Sequence, residues 1–168
     1  VQKDQTILSV GRFFQHLHSK RHDILIKAFT KLQQEYREFR DFSLVLAGGL
    51  KEEDQPYYRE IQNVAKINDN VIFKPNALFP ELQKLYKESV IYWHAAGYEV
   101  DENINPEQVE HVGISPLEAM ASKCLVFCHE SGGPKRYISQ GQNGYLYTSM
   151  DDLVSKTAQG YFELQRNE

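Results

Sequence analysis

Glu110-His-Val-Gly-Ile-Ser-Pro-Leu-Glu-Ala-Met-Ala-Ser-Lys-Cys-Leu-Val-Phe-Cys128 holds three signals in sequence: a glycine turn at Gly113, an apolar helical stretch from Ser115 to Ser122, and a β-rich run from Leu125 to Cys128. The apolar run Val90-Ile-Tyr-Trp93 lies upstream, so the order is strand, long loop, helix, strand, which is the succession of a parallel βαβ unit. Pro116 suits the first helical position, where a missing N–H is no loss, and Ser115-Pro-Leu-Glu118 spells a capping box. The same residues also suit a ligand. A helix N-terminus attracts anions. Carboxylates on either side of it, Glu110 on the incoming loop and Glu118 in the first turn, can take sugar hydroxyls while the N–H groups hold a phosphate. The combination points to a nucleotide sugar, with helix capping as the competing role of Ser115 and Glu118.

Outward from this stretch the alternation continues. Thr6-Ile-Leu-Ser-Val10 ends at Gly11 and is followed by a helical pattern at Ile24, Ala28, Phe29 and Leu32. Phe42 to Ala47 ends at Gly48-Gly49 and leads into an amphipathic stretch from Asp54 to Lys66. Val71-Ile-Phe73 precedes a short helix from Phe79 with Leu82, Leu85 and Tyr86. After Cys128 come the turn Ser131-Gly-Gly-Pro134, a short helix, the strand Gly144-Tyr-Leu-Tyr147 and a helix from Asp151. This pattern predicts an α/β fold, a Rossmann-like three-layer sandwich with a mostly parallel sheet. In such sheets ligands bind beyond the carboxyl ends of the strands, and Gly11, Gly48, Gly97 and Gly132 all follow strand candidates. His94 to Gln108 has no clear period and reads as a long loop.

Cations gather at the same edge. Arg12 follows the first strand, Lys20 and Arg21 stand in the expected first turn of the first helix with Ser19 as a cap, and Lys135-Arg136 follow Gly132-Gly133. Cations at a helix N-terminus are unfavourable by a few tenths of a kcal/mol or more, which an anionic ligand would offset. A solvated surface role competes at each position taken singly; their convergence favours a phosphate site. Gly11 is followed by Arg-Phe-Phe-Gln and not by G-x-G-x-x-G, no P-loop is present, and no Asp-x-Asp could hold a divalent ion against a diphosphate. Neutralisation would fall to Arg and Lys, with no cofactor and no metal expected.

The 168 residues, 41% apolar and 25% charged, describe one globular domain, and the net charge of −4 argues against a nucleic-acid partner. Cys124 and Cys128 share a strand face about 13 Å apart, too far for a disulfide, and we take them as core thiols of a reducing cytoplasm. His16, His18 and His22 lack an acidic or Cys partner at ligand spacing and read as solvated loop residues. The chain opens on Val1 without a signal-peptide pattern, so we read it as a piece of a longer protein.

The motifs in order are Val10-Gly-Arg12, Lys20-Arg-His-Asp-Ile-Leu-Ile-Lys-Ala-Phe29, Leu46-Ala-Gly48, Val71-Ile-Phe73, Leu82 to Tyr86, Glu110 to Ala121, Gly132-Gly-Pro134 and Gly141-Gln-Asn-Gly144. Together they resemble the C-terminal, donor-binding domain of glycosyltransferase family 4 (group 1) over nearly the whole chain. The resemblance implies one half of a GT-B enzyme: a retaining, metal-independent transferase using a nucleoside diphosphate sugar. Its acceptor-binding N-terminal domain would lie outside this chain, and the full-length protein would be cytoplasmic with room for peripheral association at the inner face of a membrane. By motif, Arg12 and Lys20 would clamp the diphosphate, the backbone of Gly113 and Ile114 would complete the phosphate site, and Glu118 would bind the ribose. Glu110 would contact the donor sugar as the catalytic residue, and the backbone around Asn76 and Ala77 would face the base. A non-catalytic nucleotide-sugar module and a GT-B-like epimerase or phosphorylase are the alternatives. Several positions depart from the family pattern: Arg136 stands where a Glu is common, Lys123 and Leu125 replace Gly and Pro, His94 replaces a small polar residue, and the loop 97–109 is longer and more acidic.

Overall fold

A computed structural model describes residues 2–167. The chain runs β1 (Asp4–Val10), α1 (His22–Glu35), β2 (Ser43–Gly48), α2 (Gln55–Ala65), β3 (Val71–Pro75), α3 (Phe79–Glu88), β4 (Ser89–His94), α4 (Ile114–Ala121), β5 (Leu125–His129), β6 (Tyr145–Tyr147) and α5 (Met150–Asn167). One six-stranded sheet has the order β3-β2-β1-β4-β5-β6, and every strand pair in it is parallel. The expected Rossmann-like three-layer sandwich is present. Strand alternation divides the core. Ile7, Leu44, Leu46, Ile91, Trp93 and Phe127 pack with α1, α2 and α5, while Leu8, Val45, Tyr92, Val126 and Cys128 pack with Tyr86 of α3 and Ala119 of α4.

The strand order reverses between β1 and β4, and the loops leaving their carboxyl ends open a crevice there. Both walls of that crevice start differently from the sequence pattern. Helix α1 begins at His22, not at Lys20, because Arg21 adopts a left-handed conformation (φ 48°) as its N-cap residue. Tertiary partners account for this. The Arg21 guanidinium reaches Asp23, Glu99 and the Tyr98 carbonyl, and the Ser19 hydroxyl accepts the Arg21 N–H. Helix α4 begins at Ile114, so Pro116 is its third residue and Glu118 lies a turn deeper, exposed. No capping box forms, because Ser115 lies inside the helix with Gly113 as the N-cap residue, and its Oγ accepts the Tyr92 hydroxyl at 2.8 Å.

His22 corrects another expectation, since it is buried and stacked on Phe13 with ring centroids 4.8 Å apart, its Nδ1 3.0 Å from Tyr57 Oη. Burial pushes its imidazole down from 6.5 to about 3. The unfolded ring therefore gains a proton near pH 6.5 that the folded ring refuses, and stability must fall as pH drops from about 6.5 toward 3. His22→Phe keeps the stacking and should flatten that part of the profile, as thermal melts between pH 7 and pH 4 would show; an unchanged slope would refute the assignment. Cys124 and Cys128 are free and buried on one face of the sheet, as expected. Among the described residues no helix is long and apolar enough to cross a membrane.

Candidate donor site at the β1–β4 crevice

The side chain of Lys20 crosses from the loop after β1 to pair with Glu110, both ends well shielded at 12% and 14% exposure. Gly11 makes room for this, since a Cβ there would run into the Lys20 stem. The ion pair sits over His94, at the end of β4, whose buried Nε2 lies 3.2 Å from Glu110 Oε2 but off the hydrogen-bonding direction, leaving it without an in-line partner. Burial works against the charge on Glu110, yet His94 and Lys20 outweigh it and hold the carboxyl well below the usual range. Burial also lowers the His94 pKa, so its ring is neutral near pH 7. From behind, the Glu110 carbonyl accepts the Gly133 N–H at 2.7 Å. Gly132 (φ 58°) has to be glycine here, because a Cβ would collide with that carbonyl.

The N-terminus of helix α4 lies against Glu110, since a Cβ on Gly113 would meet Glu110 Cγ at 3.3 Å. Gly113, left-handed at φ 80°, is the N-cap residue and offers no side chain to the first turn. The Ser115 hydroxyl, in the first turn, accepts the Tyr92 hydroxyl, which also bonds to Val10 of β1. The first N–H groups of the helix are thus left without a side-chain cap at a pole that favours anions.

The remaining candidate residues take up the rim. Arg12 is not free: its guanidinium holds buried Asp54 (Nη2 to Oδ2 2.9 Å) and Glu53 (3.2 Å) and lies over the Phe14 ring. Asn76, left-handed at φ 54°, ties the ends of β2 and β3 together by accepting the Leu50 N–H (2.8 Å) and donating its own backbone N–H to the Gly48 carbonyl (2.8 Å), which sets the backbone of Asn76 and Ala77 at the crevice edge. Glu118 lines a groove of about 430 Å³ between α3 and α4 with Phe79, Leu82 and Tyr86. Lys20, Glu110 and Gly113 lie together with Ile114 next in the chain, whereas Arg12 is held by Glu53 and Asp54, Asn76 and Ala77 follow the outer strand β3, and Glu118 lines the groove between α3 and α4.

Four contributors escaped the sequence reading. Asp54 restrains Arg12; Glu102 accepts the Gly132 N–H at 2.7 Å and pairs with Lys135; Tyr92 fixes α4; His94 supports Glu110. Only Tyr92 and His94 left a signal, as polar-tipped residues two apart on a strand buried along its whole length.

Residues 1–159 match the family model of glycosyl transferases group 1. Among curated proteins, the chain is 28% identical over 179 residues to the GDP-Man:Man(3)GlcNAc(2)-PP-Dol alpha-1,2-mannosyltransferase of Mus musculus, covering 96% of this chain and 33% of that protein. It therefore spans about one third of the length of such relatives. Among solved structures, the C-terminal domain of the group 1 glycosyl transferase LpcC from Francisella tularensis superposes with a TM-score of 0.69 at 22% identity, covering 94% of this chain and 76% of that one. The Anabaena protein Alr3699/HepE, solved with UDP and glucose, superposes with a TM-score of 0.70 at 20% identity over 97% of this chain and 40% of that one. Six parallel strands wound in this order around the β1–β4 crevice agree with those likenesses, and the chain belongs to the glycosyl transferases group 1 family.

Proposed function

We propose that this chain is the donor-binding part of a retaining, metal-independent glycosyltransferase that takes a nucleoside diphosphate sugar, with GDP-mannose the first donor to test given the names of its curated relatives. The observation that carries the reading is the uncapped N-terminus of α4, whose Gly113 lies against Glu110 of the Lys20–Glu110 pair, at the strand-order reversal. The N–H groups around Gly113 and Ile114, with Lys20, receive the diphosphate; Arg12 swings from Asp54 to join them. Glu118 takes the ribose, and the backbone at Asn76 and Ala77 borders the base. Glu110, released from Lys20 by the incoming phosphate, turns to the sugar and the charge that develops on it. Departure of the diphosphate and attack by the acceptor then occur on the same face, with the positive groups stabilising the leaving oxygen.

The acceptor wall belongs to a further domain of the same polypeptide. Exposed apolar side chains at Leu17, Leu78, Phe79, Val112 and Ile114, in segments that follow the carboxyl ends of the strands or open α3 and α4, support this, since such side chains suit burial against a second domain. Titration calorimetry of this chain with GDP, UDP and ADP tests the donor site: binding by at least one is expected, and binding by none would refute it. In Glu118→Gln the preference for the ribonucleotide over its 2′-deoxy form should shrink by about tenfold, the size of one charge-assisted hydrogen bond at the low end. A Glu118 with a purely structural role would leave that preference intact.

A further inference from the structure

Tyr86 is the one residue of α3 that is fully inside the core, and its hydroxyl is buried with no hydrogen-bond partner. Its ring is held firmly, stacked on Tyr92 with centroids 6.1 Å apart and planes at 28°, and Tyr92 is itself pinned by Ser115 and Val10. Packing would be served equally well by phenylalanine. A buried hydroxyl that makes no bond costs stability, so its presence asks for a state in which the bond is made. The nearest charged wall supplies the candidate. Tyr86 and Glu118 line the same groove between α3 and α4, and the exposed Glu118 carboxylate already lies near enough to the Tyr86 hydroxyl to raise its pKa, without making a well-formed bond to it.

We propose that Tyr86 is the positioning residue of Glu118: when a nucleotide is bound, the Glu118 carboxylate turns into the groove, accepts the Tyr86 hydroxyl through one oxygen, and presents the other to the ribose hydroxyls. Burial, followed by the nearness of Tyr92 and Glu118, pushes the Tyr86 phenol well above its ordinary value, so it stays protonated and able to donate at any working pH. A carboxylate on an exposed helix face samples several rotamers, and a fixed donor behind it removes that freedom before the ribose arrives. The stacked pair also ties this aim to the phosphate site, because Tyr92 holds the α4 N-terminus through Ser115.

This inference rests on the donor-site reading, and Tyr86→Phe in the present chain separates the two. Removing an unpartnered buried hydroxyl should leave the melting temperature equal or higher. The same change should weaken GDP binding about tenfold and leave 2′-deoxy-GDP binding unchanged, with UDP and its 2′-deoxy form replacing them if UDP is the tighter ligand. In the Glu118→Gln background, Tyr86→Phe should have no further effect on either affinity, since it acts through the carboxylate. A wild-type ratio of ribo- to deoxyribonucleotide affinity in Tyr86→Phe, an equal loss on both ligands, or a full effect in the Glu118→Gln background would each overturn the role of Tyr86 while leaving the donor site standing. Failure of the wild-type chain to bind any of the nucleotides would overturn the donor site, and the role of Tyr86 with it.

Discussion

Replacing Glu110 with alanine in the full-length enzyme should reduce sugar transfer by roughly a hundred- to a thousandfold, the effect of losing one preorganised group that meets transition-state charge. Affinity for the free nucleoside diphosphate should move the other way, rising a few fold. Lys20 is bound to Glu110 in a shielded site, and an incoming phosphate has to displace that carboxylate before it can use the lysine. Alanine removes the competitor and leaves Lys20 available. Opposite changes in turnover and affinity, read from initial rates and calorimetry on the same variant, distinguish a residue that acts on the transferred sugar from one that merely shapes the phosphate site. Wild-type turnover, or parallel loss of rate and nucleotide affinity, would refute the assignment.

Lys20→Ala should weaken nucleoside diphosphate binding by about 1.5 to 3 kcal/mol and leave nucleoside binding almost unchanged. It should also destabilise the fold. Glu110 keeps its shielded position with only neutral His94 beside it, and stripping one partner from a shielded ion pair costs on the order of 3 kcal/mol. The pH dependence gives the sign. Glu110 is held below its ordinary carboxyl value of 4.5 in the folded chain, so its contribution is present above about pH 4.5 and fades as the pH falls below that. The melting temperatures of wild type and variant should therefore lie several degrees apart at pH 7 and draw together below about pH 4.5. A gap that persists unchanged at pH 3.5 would place the loss elsewhere, in packing against Gly11.

Arg12 should show a smaller effect than Lys20, because its guanidinium remains partly engaged by Asp54 and Glu53 and a third of it faces solvent. In the proposed clamp the two cations are thus expected to be unequal. Lys20 pairs with Glu110, whereas Arg12 pairs with Glu53 and Asp54 and lies over the Phe14 ring.

The alternation of apolar runs and helical periods, read residue by residue from Thr6 to Asp151, was enough to determine the layers, the parallel sheet and the edge where the ligand belongs. Each of those follows from local periodicity and from the short, right-handed connections it permits. The spacing of Glu110 and Gly113 likewise marked two residues that the fold brings together. What local sequence could not decide was which hydrogen bonds win when a residue has two partners. Ser115 looks like a cap until the fold sets it inside the helix, where Tyr92, twenty-three positions earlier, donates to its hydroxyl. Lys20 looks like the first turn of a helix until Glu110, ninety positions later, draws its ammonium across the crevice, and His22 looks solvated until Phe13 stacks on it. These contacts join segments far apart in the chain, and their energies depend on burial, which exists only once the sheet has closed. The sequence by itself determined the scaffold and the residue types at its active edge; tertiary structure alone decided that the α4 N-terminus stays uncapped and that its cations wait in ion pairs.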